Sequence, residues 1–478
     1  MTKKLFYGFG NLGYSVIGQT VSNFFMFFAT SVLGISGTLV GIAVAISTIW
    51  DGLSDTIIGY ISDKYKIGKF GHRNGYMLIA TIGMSTINIA LWCIPNTISV
   101  PLKFIWILVS LLLLETFNTM FATPYSALGN EIATSYDDRT KINAISTVFY
   151  LIGIIIPSVL LLVFLPNTEE YPVGQLNPKG YVNISIVTST ICLFFGLICS
   201  LFTIPKSSGM QTKENKRNKG DNSDLNTNEN DKREIDKNSE KLKEEKFSMK
   251  TLIGNFFLAF KNKRLCRIII GFVLTSIATV FLCSVGLHFF TYSLFYSSNQ
   301  ITFLLLTLMF GTIISQPLWV KISSKKKKKP ALIAGILTTI FAIFGVIFIY
   351  LFRIEIYEIS YYLMLGAVFI CGVGSGALYS LPTSIYGDLI DEITTNGENR
   401  VATYSGTMTF ASNIGNSITQ LVVGILLDII GFDSSLQMQT LGVQTGLSLI
   451  LFVGVQASLI IACFVFAGHN EHKTLSNN

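Results

Sequence analysis

The residues with the greatest capacity for chemistry lie in the run Trp50-Asp51-Gly52-Leu53-Ser54-Asp55. Asp51 and Asp55 are four apart, so on a helix both carboxylates project from one face, about one turn from each other. The stretch around them is apolar and long enough to cross a bilayer. Ionised acids inside a membrane cost several kcal/mol each on insertion scales, so they face the bundle interior and mark an ion or proton path. With Ser54 on the same turn and Thr119 from a later span, the pair makes an all-oxygen site for one monovalent cation, Na+ or H+. The plainer alternative, acids that merely ion-pair with neighbouring spans, lacks partners, because the first half of the chain offers no intramembrane Lys or Arg. It also leaves two acids on one face unexplained.

Other polar residues are weaker candidates. Glu115 lies mid-span in LLLLETFNTM, one turn before Asn118 and Thr119, where its depth suits substrate or proton handling. Tyr125, Ser126, Ser146, Tyr150 and Asn413 complete the expected lining of a central substrate cavity. Asp63, Arg139, Asp388 and Arg400 sit at the inner ends of spans and are candidates for gating ion pairs that hold two halves closed. For Asp63, in the basic loop Asp63-Lys64-Tyr65-Lys66 continuing to Arg73, a merely solvated loop is an equal alternative. His288 and Gln316 read equally well as satisfied bundle-lining groups. Neither a Ser/His/Asp arrangement, a Cys/His metal spacing nor a phosphate-cradling Gly-rich loop with Lys occurs. An enzyme and an ATP-driven pump are both disfavoured, and neither a cofactor nor a metal beyond a possible Na+ at Asp51 and Asp55 is expected.

The elements that must position these residues follow from hydropathy. Half of the 478 residues are hydrophobic and 13% are charged, with a mean hydropathy of +0.55; soluble domains carry nearer ~25% charge. Of the 63 charged residues, 25 fall between Pro205 and Arg264. The rest of the chain is apolar runs of the ~20 residues that span a bilayer core as a helix. Twelve spans are expected, at roughly 5–33, 37–62, 74–94, 102–128, 142–165, 181–204, 265–295, 300–322, 330–351, 357–386, 401–430 and 444–468. Only Lys103, Lys179 and Arg353 fall on the side of the first connection; the other 32 of 35 basic residues lie opposite. By the positive-inside rule both termini are cytoplasmic. The same rule accounts for the +7 net charge and for Lys325–Lys329 without a nucleic-acid partner. The seven cysteines fall in or beside spans without metal or disulfide spacing.

The expected organisation is an N-terminal six-helix bundle at 1–204, a disordered cytoplasmic linker at 205–250, an interfacial amphipathic helix at 251–264 and a C-terminal six-helix bundle at 265–478. A repeat supports the six-plus-six division. Around Pro124 the chain reads PYSALGNE…DRTKINAISTVFYLIG, and around Pro382 PTSIYGDLID…ENRVATYSGTMTFASNIG. Each Pro is followed five residues later by Gly (Gly129, Gly387), then by an acid (Glu131, Asp388) and an Arg (Arg139, Arg400). Parallel halves of this kind are a transporter signature, with the substrate between them near the midplane.

Tyr7-Gly8-Phe9-Gly10, the WDGLSD run continuing to Gly59 and Asp63, and Gly68-Lys69-Phe70 resemble the glycoside–pentoside–hexuronide:cation symporters, the melibiose-permease branch of the major facilitator superfamily. Pro124-Tyr125-Ser126-Ala127-Leu128, Asp138-Arg139-Thr140 and Gly387-Asp388 to Gly415 carry the resemblance through the membrane part. It implies an all-α major facilitator fold and cation ligation by Asp51 and Asp55, with Ser54 and Thr119 nearby. The family's sugar contacts do not carry over. Its span-one Asp falls at Ser15, its span-four Asp and Trp at Ala122 and Ser126, its span-five Arg at Ser146 and its span-eleven Lys at Asn413. Losing those groups removes bidentate hydroxyl recognition and stacking.

The expectation is therefore a monomeric, multi-pass protein of the plasma membrane that moves a small organic solute, a glycoside among the candidates, with a monovalent cation by alternating access. An uncoupled facilitator or lysolipid-type transporter is the nearest alternative. A membrane receptor or scaffold that transports nothing is the alternative of another class.

Overall fold

In the computed structural model, residues 2–65, 67, 73–132, 136–204, 262–395 and 401–468 are described. The helices are α1 (Thr2–Phe27), α2 (Gly37–Lys64), α3 (Asn74–Trp92), α4 (Val100–Ile132), α5 (Tyr136–Phe164), α6 (Pro178–Phe202), α7 (Lys263–His288), α8 (Ser298–Ile314), α9 (Gln316–Lys326), α10 (Lys328–Leu351), α11 (Tyr357–Thr395), α12 (Val401–Ile429) and α13 (Leu441–Ala467). Pro317 at the start of α9 cannot donate a backbone hydrogen bond, and the eighth span breaks there, at Ser315, into α8 and α9. The twelve expected spans are thus present, with the fourth and tenth running further than expected, to Ile132 and Thr395. The linker and most of the interfacial helix lie outside the described residues. Asn262 caps α7 by accepting from Arg264 and Leu265 N–H, so the last residues assigned to that helix open the seventh span instead.

Eleven spans are long and apolar enough to cross a membrane. α1 is long enough but more polar, because it lies between α5, α6 and α7 and turns Gln19, Ser22 and Asn23 to interior cavities. Large apolar side chains such as Phe341 (71% exposed) and Phe464 (74%) cover the outside. Water would penalise that surface, whereas lipid tails solvate it. Local signals set several helix starts. Ser297 and Gln300 form a reciprocal capping box at α8, Asn177 precedes Pro178 at α6, and Thr440 caps α13.

Six spans form each half. α1 packs on α5 and α6, and α3 on α4 and α6; α7 packs on α12 and α13, and α10 and α8 on α11. The halves also repeat in detail. α1 ends in a π turn (Phe28–Val32) followed by Gly34 at φ 67°, and α7 ends in a π turn (Phe289–Ser293) followed by Phe295 at φ 57°. Arg73, before α3, pairs with Glu131 at the end of α4 (3.2 Å); Lys328, opening α10, pairs with Asp388 near the end of α11. The Glu131/Asp388 correspondence in the repeat thus reappears as corresponding ion pairs, each inside its own half.

Between the halves α2 lies along α12, α1 along α7, and α5 meets α8. A Cβ on Gly37 or Gly424 would collide with the other helix's backbone, and Gly41 sits against the Gln420 carbonyl. Asp428 of α12 accepts hydrogen bonds from Gly37 N (2.7 Å) and Thr38 N (2.9 Å) at the start of α2. Thr30 Oγ1 lies 2.8 Å from His288 Nε2, and Gln175 donates to the Tyr296 carbonyl (3.0 Å). These contacts join the halves at the end bearing the first connection. At the opposite end, the ion pairs among the described residues are Arg73–Glu131, Arg264–Glu392 and Lys328–Asp388, all within a half.

Candidate functional site

The acid pair stands where α2, α4 and α12 meet. Thr119 Oγ1 donates to Asp51 Oδ1 (3.0 Å) and lies 3.0 Å from Ser54 Oγ. Ser54 is 2% exposed and also reaches the Asp51 carbonyl oxygen (3.0 Å). Thr123 Oγ1 donates to Asp55 Oδ1 (3.3 Å), and Asn413 Nδ2 donates to Asp51 Oδ2 (3.1 Å) from the other half. Trp50 Nε1 bonds Thr116 Oγ1 (2.8 Å), fixing the register of α2 on α4. Both aspartates remain half-buried, and the ion pairs among the described residues involve neither. The four expected cation-site residues are therefore adjacent. Two carboxylates and two hydroxyls without a basic group form a hard-oxygen environment of the kind that suits a small cation.

Two cavities adjoin the centre. One, of about 260 Å³, is lined by Glu115, Asn118, Tyr14, Ser15 and Tyr150 among others. Asn118 Nδ2 donates to Glu115 Oε2 (3.2 Å) and holds the carboxylate. The other, of about 400 Å³, lies mostly in the second half; Gln19 and Ser22 line both. Of the expected cavity residues, Glu115 and Tyr150 thus line a described cavity. Tyr125 and Ser146 bond each other (2.8 Å), and Tyr125 stacks on Tyr7 with centroids 4.2 Å apart. Asn11 donates to Ser146 Oγ (3.0 Å). Those residues lock α1, α4 and α5 together, while Ser126 is exposed on α4. Asn413 reaches Asp51 instead of either cavity.

Among the expected gating residues, Asp388 pairs with Lys328 of its own half. Arg400 and the side chains of Asp63 and Arg139 lie outside the described residues. The sequence reading overlooked Thr123, as well as Asn416 and Gln420, which face the larger cavity with Gln19 and Asn23. The signal for Asn416 and Gln420 was available as amides spaced three or four apart on an otherwise apolar span.

This architecture, two six-helix halves around central cavities with an acid pair at their junction, is that of a membrane transporter. The family model described as MFS/sugar transport protein matches residues 6–230 and 225–467, and the chain belongs to that family. Membership makes it a multi-pass membrane transporter and not an enzyme. It agrees with the resemblance carried by the WDGLSD region. An uncharacterized symporter of Synechocystis, sll1374, is 29% identical over 201 residues, 41% of this chain but only 37% of that protein. The sodium-dependent lysophosphatidylcholine symporter 1-B of Danio rerio is 20% identical over 99% of this chain and 88% of its own. Among solved structures, the nucleoside transporter NupG superposes with a TM-score of 0.62 at 14% identity, covering 99% of this chain and all of that one. A D-xylose–proton symporter gives 0.62 at 12% identity, covering 96% of both.

Proposed function

We propose that this chain is a symporter that couples a monovalent cation, Na+ or H+, to movement of a small organic solute by alternating access. The observation that carries the reading is the junction of Asp51, Ser54, Asp55 and Thr119, joined to the second half by Asn413. Asp51 and Asp55 are the cation ligands, and Ser54 and Thr119 complete the oxygen shell. Because Asn413 holds Asp51 from across the interface, occupancy of the ion site biases how the halves sit. Coupling requires such a bias, since an ion drives transport only as far as its affinity differs between the two states. The Danio rerio relative carries sodium dependence in its name and supports Na+ as one of the two ions.

The distribution of Lys and Arg supports cytoplasmic termini, with the plasma membrane as the expected location. The contacts from Gly37–Asp428 to Thr30–His288 then close the external face, and the conformation is inward-facing. The test is transport by the purified chain in proteoliposomes. Asp55→Ala is expected to abolish ion-stimulated uptake; unchanged accumulation and unchanged ion dependence in that variant would sink the coupling.

A further inference from the structure

We propose that the paired cavities take an organic cation with an apolar body, its positive group held at Glu115 beside Tyr14 and Tyr150. This rests on the transport reading above and names the substrate class for it. Among the described residues Glu115 is the only Asp or Glu lining the smaller cavity, and its partner there is the neutral Asn118 amide. No described ion pair uses it. A carboxyl group at membrane depth with no internal counter-charge is ionised only when a cation joins it, and a cationic cargo supplies that charge. The rings of Tyr14 and Tyr150 line the same space, and aromatic faces with an acid are the usual recognition chemistry for ammonium groups.

Gln19 and Ser22 line both cavities, which therefore lie side by side along α1. Among the described residues the larger carries no Asp, Glu, Lys, Arg or His; Phe289, Phe290, Leu304 and Leu308 are among its walls, with the neutral amides of Gln19, Asn23, Asn416 and Gln420 along one side. It has room for an apolar body with a neutral polar edge. Asn416 Oδ1, on that cavity's lining residue, is buried and accepts no hydrogen bond among the described residues. It is left as an acceptor for a substrate N–H or O–H on the edge of that body. An anionic head in the smaller cavity would face the Glu115 carboxyl group with no basic residue among its described lining to offset the repulsion.

The experiment uses the full chain in nanodiscs with tritiated hexyltrimethylammonium, read by scintillation proximity. Hexyl glucoside and hexyl phosphate serve as neutral and anionic competitors on the same chain. Saturable binding is expected, with both competitors at least tenfold weaker. Glu115→Gln should lose at least tenfold in affinity for the ammonium, leave hexyl glucoside unchanged, and be partly rescued by Glu115→Asp. Equal ammonium affinity in Glu115→Gln, no saturable binding, or a preference for the glucoside would overturn the proposal. Should Glu115→Gln not fold, the order of the three ligands on the unmodified chain decides. Ion stimulation of uptake is read separately through Asp55→Asn. Loss of ammonium preference with intact ion stimulation removes this inference alone, whereas ammonium binding with no ion stimulation removes the coupling alone.

Discussion

Asp51 is held by hydroxyl and amide donors from α4 and α12, and none of them carries charge. The position of Asn413 is therefore decisive for what the site needs. Its amide ties Asp51 to the second half without supplying a counter-charge, so the carboxylate stays open to a cation. Asn413→Ala is expected to lower ion stimulation several-fold while leaving ion-independent exchange, measured as counterflow with and without Na+ or a pH gradient; ion stimulation equal to that of the unmodified chain would refute this. Asp51, Asp55 and Ser54 were legible because acids four apart in an apolar run carry their own spacing signal. Thr123 was not, because a Thr bonded to an acid on another helix looks in sequence like any small residue that lets helices approach. Asn413 was read as a cavity residue and not as a partner of Asp51, since only the α2–α12 contact brings the two together.

At the level of elements, the closed face depends on α2 and α12 approaching backbone to backbone. Gly37 and Gly424 permit that approach, and Asp428 satisfies two N–H groups at the α2 terminus, where the helix dipole favours an anion. Asp428→Ala removes one such interaction, worth about 1 kcal/mol, or roughly a five-fold shift toward opening. Faster amide exchange at Gly37 and Thr38 in hydrogen-exchange mass spectrometry is the expected result. Gly424→Leu should open the face further, because the Gly37 backbone cannot move away without separating the helices; protection equal to the unmodified chain would show that this contact does not hold the halves. Phe295 sits in the left-handed region where its counterpart is Gly34. Phe295→Gly should relieve about 1 kcal/mol of backbone strain and raise the thermal unfolding temperature by a few degrees. The repeat of π turn and left-handed residue could not be read from sequence, because Phe at that position masks the Gly that would have signalled it. The repeat around Pro124 and Pro382 was visible because Pro, Gly and acid keep their identities in both copies.

For the whole molecule, apolar run length sufficed for twelve spans and the repeat around Pro124 and Pro382 for two halves. Run length counts turns, and membrane thickness sets how many are needed. The larger cavity in the second half stayed hidden, since a void is a property of how α1, α7, α8 and α12 pack and not of any one stretch. The proposed coupling requires that the gradient of an ion held at the acid pair performs work on the solute. Proteoliposomes loaded with the purified chain, offered a labelled solute from a panel of ammonium, glycoside and lysolipid probes under an inward Na+ or H+ gradient, measure that directly. Coupled transport predicts accumulation above the external level that collapses to equality when an ionophore dissipates the gradient. Entry that stops at equality, at the same rate with the gradient present or dissipated, would contradict it.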